Sequence, residues 1–175
     1  MAATDTSLTD ALVAALPEGS VILNPDSMHE YRWDRANDPN AGTPLAVVRV
    51  TSTEQVQAVV RLAAAAGVPI VPRGAGSSLS GGSTAIDGCI VLSLDRMREI
   101  TVDPVTRTVV TQPGAFNAEV KAAAAEHGLW YRPDPASFQF CSIGGNVATN
   151  AGGLCCVKYG VTTDSVLGMT VVLAD

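Results

Sequence analysis

The sequence predicts a mixed α+β fold on three observations. Apolar strand-like runs alternate with helical periodicity, two glycine-rich stretches adjoin strands, and 47% of the 175 residues are hydrophobic. That apolar content suffices for one core, or for two small subdomains sharing an interface.

Ser7 to Leu16 reads as an opening helix, with Ser7 as cap, Asp10 three residues on and Pro17 to stop it. A loop-rich stretch with Pro25, Pro39, Gly42 and Pro44 follows, and residues 1–44 are expected to form a helix and an arm wrapped on the body. From Leu45 to Val50 the pattern is that of a strand. Thr51-Ser52-Thr53-Glu54-Gln55 then offers an N-cap with its partner, and Val56, Val59, Val60 and Ala63 recur at helical spacing until Gly67. Further strands are expected at Val68–Val71, Cys89–Leu94, Ile100–Val102 and Thr108–Thr111. A helix over Ala118–His127 can be capped by Asn117 and ended by Gly128, before short strands at Leu129–Tyr131 and Val166–Leu173. The stretches 45–72 and 107–131 share a strand-helix-strand plan, so the body, 45–175, divides into subdomains of about 45–105 and 106–175.

Charge removes several function classes. The net charge is −6 with a pI of 4.8, and the basic residues are scattered singly, so neither nucleic acid nor an anionic membrane finds a basic footprint. Met1 to Asp10 lacks the basic start and apolar run of a secretory signal, and no stretch approaches a transmembrane span, which makes the cytoplasm the expected location. Cys89, Cys141, Cys155 and Cys156 form no CxxC pair and read as buried small thiols.

The chemistry lies in the glycine-rich stretches. After the strand ending at Val71 comes Pro72-Arg73-Gly74-Ala75-Gly76-Ser77-Ser78-Leu79-Ser80-Gly81-Gly82-Ser83-Thr84. Glycines let such a backbone turn its N–H groups towards one point and the hydroxyls add donors, so a diphosphate is the expected guest, with Arg73 as counter-charge. A Walker loop is excluded because no lysine precedes Asn117. A Rossmann fingerprint is excluded because Gly82 leads through Ile86-Asp87-Gly88 into a strand, and no helix N-terminus is expected to serve the loop. The second stretch runs from Arg132 to Gly153, and its part Ser142-Ile143-Gly144-Gly145-Asn146-Val147-Ala148-Thr149-Asn150-Ala151-Gly152-Gly153 reads as a loop. Its glycines admit a flat ligand, and Ser142, Asn146, Thr149 and Asn150 are spaced to meet the heteroatom edge of a ring system. Two such stretches suggest one extended ligand gripped at both ends.

These motifs resemble the FAD-linked oxidase family that shares the vanillyl-alcohol oxidase and p-cresol methylhydroxylase fold. Within it they are most similar to the glycolate oxidase flavin subunit, D-lactate dehydrogenases and D-2-hydroxyglutarate dehydrogenases. The resemblance runs from Tyr31-Arg32-Trp33-Asp34 through Thr51 to Val56, Pro72 to Gly82, Ser142 to Gly153 and Lys158-Tyr159-Gly160-Val161-Thr162 to the stretch Met169 to Asp175. It implies a domain of two α+β subdomains with FAD extended between them. Gly74, Ala75, Gly76, Ser77 and Ser78 would wrap the diphosphate, flanked by Pro72, Arg73 and Gly81. Pro133, Asp134, Ser137, Cys141 and Ser142 would line the middle of the cofactor. Gly144, Gly145, Asn146, Thr149, Asn150, Gly152 and Tyr159 would lie towards the flavin.

Some relatives tether FAD through a histidine where this chain has Ser77, so non-covalent FAD is expected. The implied reaction is hydride transfer from a small 2-hydroxy acid such as D-lactate, glycolate or D-2-hydroxyglutarate to FAD, with a separate electron acceptor and possible oligomerisation. A flavin reductase of the UDP-N-acetylenolpyruvoylglucosamine type shares the fold, but the Ser142–Gly153 run favours the oxidase branch. A non-catalytic nucleotide-binding module completed by another chain is the remaining alternative. The chain is expected to be an N-terminal portion without the substrate cap domain and inactive alone, with the catalytic residues and any metal ligands beyond residue 175; none is assigned within it.

Overall fold

The computed structural model describes residues 3–174. Two sheets organise them. In the first, strands β1 (Val21–Ile22), β2 (Ala46–Arg49), β3 (Ile70–Arg73) and β4 (Ile90–Ser93) lie in the order β1-β2-β4-β3. β4 is central and pairs parallel with both β2 and β3, while β1 is antiparallel to β2. All four residues of β4 are buried, as befits a central parallel strand. The second sheet is the antiparallel hairpin of β5 (Ile100–Asp103) and β6 (Thr108–Thr111). This hairpin straddles the position where the sequence suggested a boundary between subdomains.

The opening helix α1 (Ala3–Ala15) begins before Ser7, which therefore sits inside the helix, away from its start. It is part of the main core: Leu8, Leu12 and Leu16 pack with Val48, Val59, Ile90 and Leu92. The stretch after it also belongs to the body, since β1 joins the sheet, followed by α2 (Pro25–Met28) and a 3-10 turn at His29–Tyr31. α3 (Thr53–Ala66) has the expected caps. The Ser52 hydroxyl accepts from the Gln55 N–H, Gln55 Oε1 accepts from the Thr51 N–H at 2.9 Å, and Gly67 ends the helix at φ +66°.

α4 (Asn117–Ala125) is capped differently from expectation. Phe116 is the N-cap residue and its N–H donates to Glu119, while Asn117 is wholly buried in the first turn. The larger departure is the Ser142–Gly153 stretch, which carries helix α5 (Ile143–Thr149) between a Ser142 N-cap and Asn150 at φ +48°. The cap and the left-handed end supply what isolated glycines withhold. α6 (Cys156–Tyr159) and a 3-10 turn at Thr162–Ser165 follow. Leu129–Tyr131 and Val166–Leu173 are not strands. The second has a strand-like alternation, with Leu167, Met169, Val171 and Leu173 exposed, but among the described residues it has no partner strand to complete a ladder. Cys89 and Cys141 are buried as expected, whereas Cys155 and Cys156 are half-buried, and all four are free thiols. Among the described residues no helix is long and apolar enough to cross a membrane.

At the carboxyl ends of the parallel strands, Arg49 Nε donates to Asp95 Oδ2 at 3.1 Å and the Ser93 hydroxyl donates to Asp95 Oδ1 at 2.9 Å. Burial pushes the Asp95 carboxyl up, but these bonds and the Arg49 charge outweigh it and hold it below its usual range. The resulting stabilisation is present above the ordinary carboxylate pKa and is lost as pH falls through the depressed folded value. The difference in urea midpoint between the unaltered protein and Asp95→Asn should therefore be full at about pH 6 and shrink below about pH 4. Leu12→Ala should lower unfolding free energy by about 2–5 kcal/mol in the same assay, because α1 is core and not appendage.

Candidate functional site

The loop leaving β3 begins at the carboxyl edge of the parallel sheet, where ligands of such sheets bind. Two of its glycines are dictated by conformation: Gly76 has φ +64° and Gly81 φ +74°. Gly74 is dictated by contact, since a Cβ there would lie 2.3 Å from the Ser142 hydroxyl oxygen. That oxygen accepts from the Ala75 N–H at 3.2 Å and from the Gly145 N–H at 3.3 Å. One hydroxyl thus closes the first glycine loop against the start of α5, across 67 residues of sequence. A helix start does adjoin this loop, contrary to the expectation from local order. It comes from the distant second stretch, which sequence adjacency cannot reveal.

The junction is reinforced from behind. The Ile143 and Gly144 N–H groups donate to the Ala115 and Pro113 carbonyls, Phe116 bridges Ser142, and the Asn117 N–H donates to the Cys141 carbonyl. A Cβ on Gly144 would meet Pro113 Cβ at 2.7 Å, so this glycine serves close packing. Gly114 lies under the main chain of Leu94, which ties the segment to the end of β4. Both glycine-rich stretches therefore converge at the same end of the main sheet.

Inside the loop, the main-chain N–H groups of Gly76, Ser77 and Ser78 and the Ser77 hydroxyl donate to no protein acceptor among the described residues. They form a set of free donors around a glycine turn. Arg73 is turned elsewhere. Its guanidinium donates to the Trp33 and Glu30 carbonyls and lies beneath Gly76, whose Cβ would sit 2.2 Å from Nη2. Burial pulls the Arg73 pKa down, opposed by the nearby Tyr31, Asp34 and Glu30. The guanidinium expected as a counter-charge is thus a half-buried strut between loop and arm, and Gly76 is needed by the fold.

The polar side chains of the second stretch are largely committed to the protein. Asn146, 3% exposed, accepts from Asn117 Nδ2 at 3.0 Å and donates to the buried Cys141 thiol, while Asn117 also donates to the Pro133 carbonyl. The Thr149 hydroxyl bonds back to the Gly145 carbonyl, and Asn150 Oδ1 accepts from Thr163. Asp134 Oδ1 accepts from the Cys155 N–H, and its carboxylate, hydrogen-bonded by the thiol, holds Cys155 above the usual thiol range. Gly153 lies against Asp134, Gly152 against Cys156, and Tyr159 stacks edge-on with Trp130 at 4.9 Å. The Ser137 hydroxyl makes no protein hydrogen bond among the described residues. Pro133 is buried, and Pro72 and Gly81 bracket the loop. The structural partners of these residues, Asn117 above all, escape a sequence reading because a buried amide network has no periodicity.

Fold and site together define a nucleotide-cofactor-holding α+β domain. A family described as FAD binding domain matches residues 44–175, and the chain belongs to it. It is 39% identical over 171 residues to glycolate oxidase subunit GlcD of Escherichia coli strain K12, covering 97% of this chain and 34% of that protein. It is 41% identical over 170 residues to D-2-hydroxyglutarate dehydrogenase of Stutzerimonas stutzeri strain A1501, covering 97% of this chain and 36% of that one. The chain thus spans about a third of the length of these curated relatives. The crystal structure of p-cresol methylhydroxylase with substrate bound superposes with a TM-score of 0.74 at 23% identity, over 86% of this chain and 30% of that one. This likeness shows the shared fold. The cofactor of the family is FAD, and the donor set fits it: a glycine turn whose N–H groups at Gly76, Ser77 and Ser78 have no protein acceptor among the described residues, held in shape by the close packing of Gly74 on Ser142 and of Gly76 on Arg73.

Ser142→Ala leaves the Ala75 and Gly145 N–H groups without their acceptor. It should lower unfolding free energy by about 1–2 kcal/mol in denaturant titration, the loss of a helix cap.

Proposed function

We propose that the loop 74–78 holds the diphosphate of a non-covalently bound FAD, and that the protein is an oxidoreductase acting on a small 2-hydroxy acid. The observation that carries the reading is the turn of free N–H groups at Gly76, Ser77 and Ser78, closed by Ser142 at the start of α5. When bound, FAD supplies a hydride acceptor for oxidation of a carbinol carbon. This chain's own contribution is to bind and orient. The loop N–H groups and the Ser77 hydroxyl offset the diphosphate charge, Ser137 and Asp134 border its middle, and the α5 backbone at Gly145 lies towards the flavin.

The names of the relatives, glycolate oxidase and D-2-hydroxyglutarate dehydrogenase, support a 2-hydroxy acid as substrate class, with electrons passing on to a separate acceptor. Four free thiols support a reducing, cytoplasmic setting. The absence of a histidine at position 77 supports non-covalent attachment.

Acid precipitation of flavin-loaded protein should leave the yellow colour in the supernatant, and colour retained in the pellet would refute non-covalent binding. In the protein as its gene encodes it, anaerobic glycolate, D-lactate or D-2-hydroxyglutarate should bleach the blue absorbance of the flavin. No bleaching by any 2-hydroxy acid would exclude the proposed substrate class.

A further inference from the structure

We propose that Asp34, in the stretch between β1 and β2, is a positioning residue that holds the glycine loop in its diphosphate-binding shape. The inference rests on the FAD reading above and adds a residue to it that touches the loop from behind.

Asp34 is 2% exposed, and its carboxylate has no ion-pair partner among the described residues. A carboxylate so placed needs hydrogen bonds to remain buried. Both its oxygens receive main-chain N–H groups: Oδ1 from Ala36 at 2.9 Å and Oδ2 from Gly81 at 2.9 Å. The first bond closes a local turn, whereas the second spans 47 residues to the far end of the glycine loop, where Gly81 has φ +74°. Next to Asp34, the Arg35 N–H donates to the Ser78 carbonyl at 3.0 Å. A trans peptide directs its N–H opposite to its carbonyl, so this bond turns the Leu79 N–H away from the arm. Arg73 completes the set at the near end of the loop by donating to Glu30 and Trp33. The loop is thus tied to residues 30–35 at its beginning, middle and end, while the N–H groups of Gly76 to Ser78 stay free.

The arm can impose this shape because it is itself held. Arg32 Nε donates to the Gly42 carbonyl at 2.9 Å, and the Arg32 carbonyl accepts from the Ala85 N–H at 2.7 Å. Asp34 therefore sits on a braced support. Without the carboxylate, the Gly81 N–H loses its acceptor and the glycines, which have many accessible conformations, no longer converge before the cofactor arrives.

The test compares unaltered protein with Asp34→Ala and Asp34→Asn in three measurements: FAD binding by flavin fluorescence, ADP binding by competition, and amide hydrogen exchange without cofactor. Asp34→Ala should weaken FAD and ADP alike by about tenfold or more, and Asp34→Asn, which keeps one acceptor oxygen, by less. Exchange over residues 74–84 should accelerate while β2 and β4 stay protected. Unchanged affinity in Asp34→Ala, a loss for FAD without one for ADP, or accelerated exchange throughout the sheet in both variants would each overturn the proposal. Failure of the unaltered protein to bind FAD would instead overturn the reading on which it rests.

Discussion

The hydroxyl of Ser142 joins the two halves of the candidate site. It accepts from Ala75, just after the first sheet's edge strand, and from Gly145, in the first turn of α5. Two main-chain segments can share one oxygen only if they approach closely, and Gly74 makes that approach possible by having no Cβ. The adjoining contacts depend on the same register. Ile143 and Gly144 are paired to Ala115 and Pro113, so a shift of α5 along its axis would break the Ser142 junction and the bonds behind it together.

A second constraint comes from the N-terminal stretch. Leu8, Leu12 and Leu16 bury against α3 and the main sheet, and β1 extends that sheet. This packing supplies the hydrophobic gain that fixes the stretch in place. Its later residues then present carbonyls to Arg73 and a carboxylate to Gly81. The site is therefore assembled from three parts of the chain, with hydrophobic burial setting positions and main-chain hydrogen bonds setting shape.

Polar residues in the second stretch illustrate a general ambiguity. Asn146, Thr149 and Asn150 have the spacing of ligand contacts, yet their side chains bond the Asn117 amide N–H and Cys141, a helix carbonyl and Thr163. Capping and interior amide pairing use the same residue types as ligand recognition, and both place them at short intervals near glycine. Main-chain donors left without protein partners, as at Gly76 to Ser78, are by contrast free to meet a ligand.

The sequence by itself determined the α+β class, α3 with both caps, β2 to β6 within a residue or two, the excluded Walker and Rossmann arrangements, and the motifs that carry the family and its FAD. These are local: each is written in periodicity, a cap or a glycine-serine run. Tertiary structure alone decided that Ser142 at the start of α5 meets the first glycine loop, that residues 166–173 find no ladder, and that Arg73 braces the loop against the arm. It also decided that Asp34 meets Gly81. Each of these depends on a partner 40 or more residues away or on the lack of one, and the free energy of such a contact belongs to the pair, so neither segment read alone contains it.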